Sequence, residues 1–401
     1  MSSRGRCSIL LVLSICFLVF LLSASRRDDA EFPTEWPTSI TEDVATIKGV
    51  TISVPSNSTR DRTPRSVIVS VFINVSNFYH GRAPPKVDWL VVLARSLYQH
   101  RHCDRCQTHN SSGESKLVLF LDLLSVPMVS KRMTVVEHNR RVSLTDIGFL
   151  EIVAVSNETH GDILAQRYAW GVANGANNYR FEIIRRWLHL HHSDIDRVGI
   201  VDATDVAFQA NPFDGCSFLP LSTSMHYESE QIIRRKNVVF TLENNKKTFK
   251  NEVYNRRWMA CYGEDVLSRM AKKNRRISCA GVTIGGTEGM QEYCRLQMQE
   301  IGKKQLLDCA SFRVKAALDQ ATHNYILHNE GPLLGWRNLS LSTASEESDD
   351  CVWHGNFGTL RWRRNEVVSA SGSPFAIVHQ FTADRHPVIE NYLRRRYIDE
   401  M

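Results

Sequence analysis

Arg197-Val-Gly-Ile-Val-Asp202-Ala-Thr-Asp205-Val-Ala-Phe208-Gln-Ala-Asn211-Pro212-Phe213 is the stretch on which the reading of the fold turns. The apolar run up to Val201 is too short for a helix and reads as a buried strand. It leads directly into two aspartates spaced i, i+3. Carboxylates at a strand's end cost least where water or a cation reaches them. Two in one turn can share a divalent ion, and hard oxygen donors suit Mn²⁺ or Mg²⁺. The same spacing also suits a purely structural pair, with Asp202 capping the turn and Asp205 the segment after it.

Working outward, the chain alternates strands and helices from Arg65. Strands are predicted at Ser66 to Val75, Lys116 to Leu124, Leu150 to Val155, Arg197 to Val201, Asn237 to Leu242 and Phe375 to Val378. Helices are predicted at Val87 to Gln99, Asn178 to His191, Gly289 to Ile301 and Val314 to Leu327. In the second of these, Phe181, Ile184, Trp187 and Leu188 share one face. This alternation predicts an α/β fold with a mostly parallel central sheet flanked by helices. Ligands of such sheets bind beyond the carboxyl ends of the strands, where Asp202 and Asp205 lie.

The 401 residues are 43% hydrophobic and 23% charged, which excludes collagen-like, coiled-coil and wholly disordered chains. A net charge of +6 is mild over this length and gives no case for nucleic acid as a partner. Arg4 and Arg6 precede an apolar run from Ile9 to Leu22, and no Asp, Glu, Lys or Arg falls between Arg6 and Arg26. We read residues 1–6 as a cytoplasmic tail and 7–25 as a transmembrane signal anchor of a single-pass type II protein. Ser23-Ala24-Ser25 leaves a cleaved signal peptide as the alternative. Residues 26–64, with Pro33, Pro37, Pro55 and Pro64, read as a stem, and 65–401 as one lumenal domain.

Sequons at Asn57, Asn74, Asn110, Asn157 and Asn338 agree with glycosylation in the secretory lumen. So do eight cysteines beyond the apolar run: Cys103, Cys106, Cys216, Cys261, Cys279, Cys294, Cys309 and Cys351. An even set in an oxidising compartment predicts disulfides, whose pairing spacing does not reveal. Cys103-x-x-Cys106 alone also suits half a zinc site or a redox pair. His189, His191 and His192 read as a solvated helix face, and Asp194-Ile-Asp196 as a solvated turn. Trp353-His354-Gly355-Asn356 suits either a sugar-stacking groove or core packing. No G-x-S-x-G, H-E-x-x-H or Walker sequence is present, so hydrolase, zincin and P-loop readings lack their anchors.

The strand, Asp202-x-x-Asp205, Val-x-Phe208 and Pro212-Phe213 together resemble the metal-binding segment of GT-A glycosyltransferases. In that family the acidic motif usually has one intervening residue, where this chain has Ala203 and Thr204. Two further segments follow in the matching order. Ile277-Ser-Cys279-Ala-Gly281-Val-Thr-Ile-Gly285-Gly286, a helix, and Asp319-Gln320 with Asn324 resemble the acceptor-side series of glycosyltransferase family 8. Phe375-Ala-Ile-Val-His379-Gln380 with Arg385 and Pro387 resembles its C-terminal segment, with Ala383 and Arg385 standing where Gly and Lys are usual.

The resemblance spans roughly residues 65–397 and implies a GT-A fold and a metal-dependent glycosyltransferase of the Golgi or endoplasmic reticulum. It implies Mn²⁺, or Mg²⁺, on Asp205 and His379, with Asp202 on the metal or the ribose. It implies donor binding by Asp202, Gly281, Arg180 and Arg385, the last clamping the diphosphate. On its own, Arg180 reads as an exposed arginine at a helix start. Asp319 and Gln320 are the implied catalytic pair, beside sugar hydroxyls and the reacting carbon. The partners implied are a nucleotide-sugar donor and a glycan or glycoprotein acceptor. Retention of configuration follows from family 8, whereas inversion needs a carboxylate base, for which Asp319 is the candidate. Two other classes stay open: an inactive GT-A scaffold that binds nucleotide-sugar or glycan, and a disulfide-stabilised secreted adhesion protein.

Overall fold

The computed structural model describes residues 66–73, 87–101, 114–123, 125–155, 175–216, 235–303, 305–306, 308–309, 317–329, 340–345, 351–355, 359–381 and 386–399. The expected anchor and stem, all five sequons, Cys103, Cys106, Asn356 and Arg385 lie outside these residues. Among the described residues, no helix is long and apolar enough to cross a membrane.

Ten strands build the two sheets that matter here. They are β1 (Ser66–Phe72), β2 (Ser115–Asp122), β3 (Leu150–Val155), β4 (Arg197–Val201), β5 (Val206–Phe208), β6 (Asn237–Leu242), β7 (Ser278–Gly286), β8 (Ser340–Ser345), β9 (Val352–His354) and β10 (Ile377–His379). The helices are α1 (Val87–Gln99), α2 (Val126–Arg132), α3 (Gly175–His191), α4 (Val253–Met259), α5 (Glu264–Lys272), α6 (Thr287–Ile301), α7 (Leu318–His328) and α8 (Pro387–Arg394). The predicted helix from Val87 and the strands at Leu150, Arg197 and Asn237 have the bounds expected.

The central sheet has seven strands in the order β8-β6-β7-β4-β1-β2-β3. Every neighbouring pair is parallel except the two made by β7, which runs antiparallel to both β4 and β6. The sheet is therefore mixed and mostly parallel. β1, β2, β4 and β6 carry apolar residues on both faces because both faces are covered there. Val67, Val69, Val198 and Ile200 pack with α3, α6 and α7 through Phe181, Leu188, Tyr293 and Ile326. Ile68, Leu119, Val201 and Ile284 point the other way, onto Leu90, Leu93 and Leu97 of α1 and Val129 of α2. This is the two-residue alternation of a strand read on its two sides.

β7 corrects a reading of the sequence. Glycines as close together as Gly281 and Gly285 also suit an ordinary turn, but they lie in a nine-residue strand buried at every position. Asn237 O and Met290 occupy the space a Cβ on Gly285 would need. Small residues here let β6 and α6 close onto the strand.

A second sheet of three short strands has the order β9-β10-β5. β9 and β10 are parallel, with His354 beside His379, while β5 pairs antiparallel with β10 and sets Val206 opposite His379. Trp353, Val378, Phe381, Ile389 and Leu393 pack it against Trp89 of α1 and against α8. Trp353 is 1% exposed, so it belongs to the core and not to a groove wall.

Among the described residues, two disulfides, Cys216–Cys351 and Cys261–Cys309, fit an oxidising, extracytoplasmic compartment. The disulfides expected from the cysteine set are present in part, since Cys279 and Cys294 are buried free thiols.

Candidate metal centre

Four strands bring the site together. β4 ends at Val201, so Asp202 emerges at its carboxyl end, beside β1, where the sheet order changes direction. The Asp202 amide donates to Gly281 O of β7 at 2.8 Å, which fixes the turn against the neighbouring strand. Asp205 leads into β5, and its carbonyl accepts from the Gln380 amide just past β10 at 2.8 Å. This link holds Asp205 next to His379. Gln380 has φ +59°, a left-handed backbone that a non-glycine residue keeps only where its surroundings enforce it.

The His379 side chain is fully buried, whereas the side chains of Asp202 and Asp205 are 34% and 24% exposed. The imidazole thus forms the floor and the carboxylates the solvent edge. His379 Nε2 lies 3.4 Å from Asp202 Oδ2 and 3.7 Å from Asp205 Oδ1. It is buried and makes no hydrogen bond. A nitrogen left without a partner between two carboxylates is what a divalent cation would satisfy, so these residues fit one. A Cβ on Gly281 would lie 2.5 Å from Asp202 Oδ2 and 2.6 Å from His379 Nε2, so glycine keeps this space open.

Arg180 corrects another expectation. Read from sequence as an exposed helix arginine, it is 5% exposed and lies beneath the acidic turn. Its Nη1 donates to Asp202 Oδ1 at 2.5 Å, and its Nη2 donates to Ala280 O at 3.2 Å and Asp319 Oδ2 at 3.3 Å. The two oxygens of Asp202 are therefore divided, Oδ1 toward Arg180 and Oδ2 toward His379.

The electrostatics follow from these neighbours. Burial works to raise the Asp202 pKa, but Arg180 and His379 outweigh it and hold the carboxyl well below its usual range. Asp205 lacks the arginine contact, and burial pushes it up to about 6. Burial likewise raises Asp319, against the opposing pull of Arg180. Burial would lower His379, yet Cys279, Asp205 and Asp202 together drive its pKa well above the usual value. Opposite charges are therefore interleaved in the pocket, Arg180 and His379 against the three carboxylates.

Asp319 and Gln320 lie in the first turn of α7 and are 6% and 9% exposed. Gln320 Oε1 accepts from Ala280 N at 2.8 Å, and its Nε2 donates to Ser278 O at 2.7 Å and Asn255 Oδ1 at 3.0 Å. Asn324 completes the edge, accepting from Ser278 N and donating to Ser278 O, both at 2.8 Å. These side chains serve β7 where its pairing with β6 shifts register. Sequence reading attached Gln320 to a reacting carbon; in the fold its amide is engaged in supporting the strand that carries Gly281.

His354 is the residue the sequence reading passed over. It was noticed only as part of a candidate groove, yet its Nδ1 lies 3.1 Å from His379 Nδ1. The spacing of β9 and β10 along the chain gave no sign of this pairing. His189, His192 and Asp194 lie apart from the site on an exposed helix end and turn. Two cavities of about 150 and 240 Å³, beside Trp362 and Arg275 respectively, contain none of the site residues. No protein-family model and no curated protein matches the chain.

Proposed function

We propose that the chain is a metal-dependent glycosyltransferase with a GT-A fold, moving a sugar from a nucleotide-sugar to a glycan or glycoprotein acceptor in the secretory pathway. The observation that carries this reading is the convergence of Asp202 and Asp205 on the buried Nε2 of His379, which makes no hydrogen bond. They come from segments distant in sequence and meet where the sheet order changes direction. A hydrolase with a side-chain nucleophile would not need this oxygen-rich cradle.

A divalent cation such as Mn²⁺ or Mg²⁺, held by Asp202, Asp205 and His379, supplies positive charge against a departing diphosphate. The chain's own residues prepare for it. Arg180 orients Asp202, and Asp319 offsets the buried guanidinium charge from the other side. Gly281 leaves room at the carboxylate edge. Arg180 is a positioning residue in this scheme, because its Nη groups are already held by two carboxylates and a carbonyl. The disulfides support an extracytoplasmic setting, in keeping with a Golgi or endoplasmic-reticulum enzyme anchored as a type II protein.

The test is sugar release or transfer from a panel of nucleotide-sugars by the full-length chain, with and without Mn²⁺, and with Asp205→Ala as control. Metal-dependent turnover of one donor, lost in the variant, supports the proposal. Binding of a donor without turnover of any would point to a non-catalytic scaffold.

A further inference from the structure

His379 presents two nitrogens to two chemically different surroundings. Nε2 faces the carboxylates, while Nδ1 faces Cys279 Sγ at 3.8 Å and His354 Nδ1 at 3.1 Å. We propose that Cys279, His354 and His379 Nδ1 form a second metal site, one that takes a Zn²⁺-class ion. Cys279, His354 and His379 are 4%, 1% and 0% exposed, and their ligand atoms lie within 4.8 Å of one another.

The spacing suits such an ion. Zinc bond lengths in a tetrahedral site put two nitrogens about 3.3 Å apart and a nitrogen and a sulfur about 3.6 Å apart. The observed separations of 3.1 and 3.8 Å bracket those values. The strands supply the donors by simple geometry. His354 and His379 are register partners on β9 and β10. Cys279 and Gly281 are two residues apart on β7 and so share one face, the glycine against Nε2 and the thiol against Nδ1.

A fourth donor is at hand. Gln380 Nε2 lies 3.6 Å from Cys279 Sγ, and Gln380 Oε1 is buried without a partner. Rotating the amide exchanges the two atoms and turns a carbonyl oxygen toward the sulfur. Thiolate and imidazole donors select zinc-like ions over the oxygen-seeking Mn²⁺ and Mg²⁺. Such a site also gives a role to a thiol that stays free beside two disulfides. Binding releases the Cys279 proton to solvent.

The two sites share one imidazole. A neutral ring has one free nitrogen lone pair, so an ion on Nδ1 leaves Nε2 protonated and takes a ligand from the carboxylate site. The second site thus antagonises the first. This consequence rests on the function proposed above, but the site itself does not.

Co²⁺, a spectroscopic stand-in for Zn²⁺, tests it on the purified full-length chain. The expected result is a thiolate-to-cobalt absorption band at one equivalent. That band is abolished by Cys279→Ser, weakened at least tenfold in affinity by His354→Asn and displaced by Zn²⁺, but kept in Asp205→Asn. Independently of how Cys279→Ser folds, Zn²⁺ protection of Cys279 from alkylation is read by mass spectrometry in the wild-type chain. No thiolate band with cobalt bound, a band surviving Cys279→Ser, or no protection of Cys279 overturns the second site. Mn²⁺ binding read separately by electron paramagnetic resonance then shows whether the carboxylate site stands without it.

Discussion

Gly281 controls the space between Asp202 and His379, so the smallest substitution there has a large effect. A methyl group would overlap both ligands. Gly281→Ala is predicted to weaken Mn²⁺ binding by about 10–100-fold, because Asp202 swings aside at the solvent edge while the buried His379 has to yield beneath it. Titration followed by electron paramagnetic resonance checks this. Gln320→Ala should behave in the opposite way. It strips two hydrogen bonds from β7 and one from Asn255 of α4, and leaves the buried Ala280 amide without its acceptor, while Ser278 O keeps Asn324. A loss of about 2–3 kcal/mol is expected, measured by denaturant unfolding. If instead Gln320→Ala keeps full stability and loses only turnover, its place in the account is catalytic and the structural assignment fails.

Among the elements, α7 carries a pH dependence. His328 Nε2 donates to Arg276 O at 2.6 Å, and burial first of all lowers its pKa to about 4. Burial drives His323, held between Tyr293 and Ser278, well below its usual value too. Both are neutral in the fold but take up a proton when the chain unfolds near pH 6.5. Their contribution is therefore complete above pH 6.5 and declines below it, that of His328 being lost as pH falls toward 4. For His328 alone the loss reaches about 3 kcal/mol, on the order of a 2.5-unit difference. His328→Gln keeps a donor for Arg276 O and should flatten the stability profile between pH 6.5 and 4.

The small sheet depends on a covalent tie. Cys216–Cys351 joins the segment after β5 to the residue before β9, across 135 positions. Replacing both cysteines by serine should cost about 2–4 kcal/mol and also weaken Mn²⁺ binding, since β5 and β10 set Asp205 against His379. An unchanged Mn²⁺ affinity would mean that the short ladder holds the ligands unaided.

Elements with clear periodicity were legible in the sequence. The two-faced apolar runs of β1, β2, β3, β4 and β6, and the stripe on α3, announce themselves without tertiary information. β7 did not, because glycines that admit β6, α6 and the metal ligands look like turn residues when only neighbours in the chain are known. β8 is a Ser-rich edge strand without an apolar period, and the three-residue β5 and β9 carry too few positions for one to show, whereas β10 was legible as the apolar run from Phe375. In the site, Asp202 and Asp205 were legible from the strand that runs into them, and His379 only through the resemblance of its segment to a known family. The burial of Arg180 and the partnership of His354 with His379 were not, since both arise from strands and helices meeting across the fold.

Over the whole molecule, a mixed seven-strand sheet supports one acidic turn, and a small sheet delivers one histidine to it. Two disulfides suit this arrangement to an oxidising compartment. The proposed activity needs the two sheets to act together, because neither holds all three ligands. The most direct measurement of that claim is Mn²⁺-dependent consumption of nucleotide-sugars by the full-length chain, compared with Asp205→Ala and His379→Ala under identical conditions. The account predicts turnover of at least one donor that requires the added ion and falls by about 10²-fold or more in both variants. Turnover that is indifferent to the ion, or that survives in both variants, would contradict it.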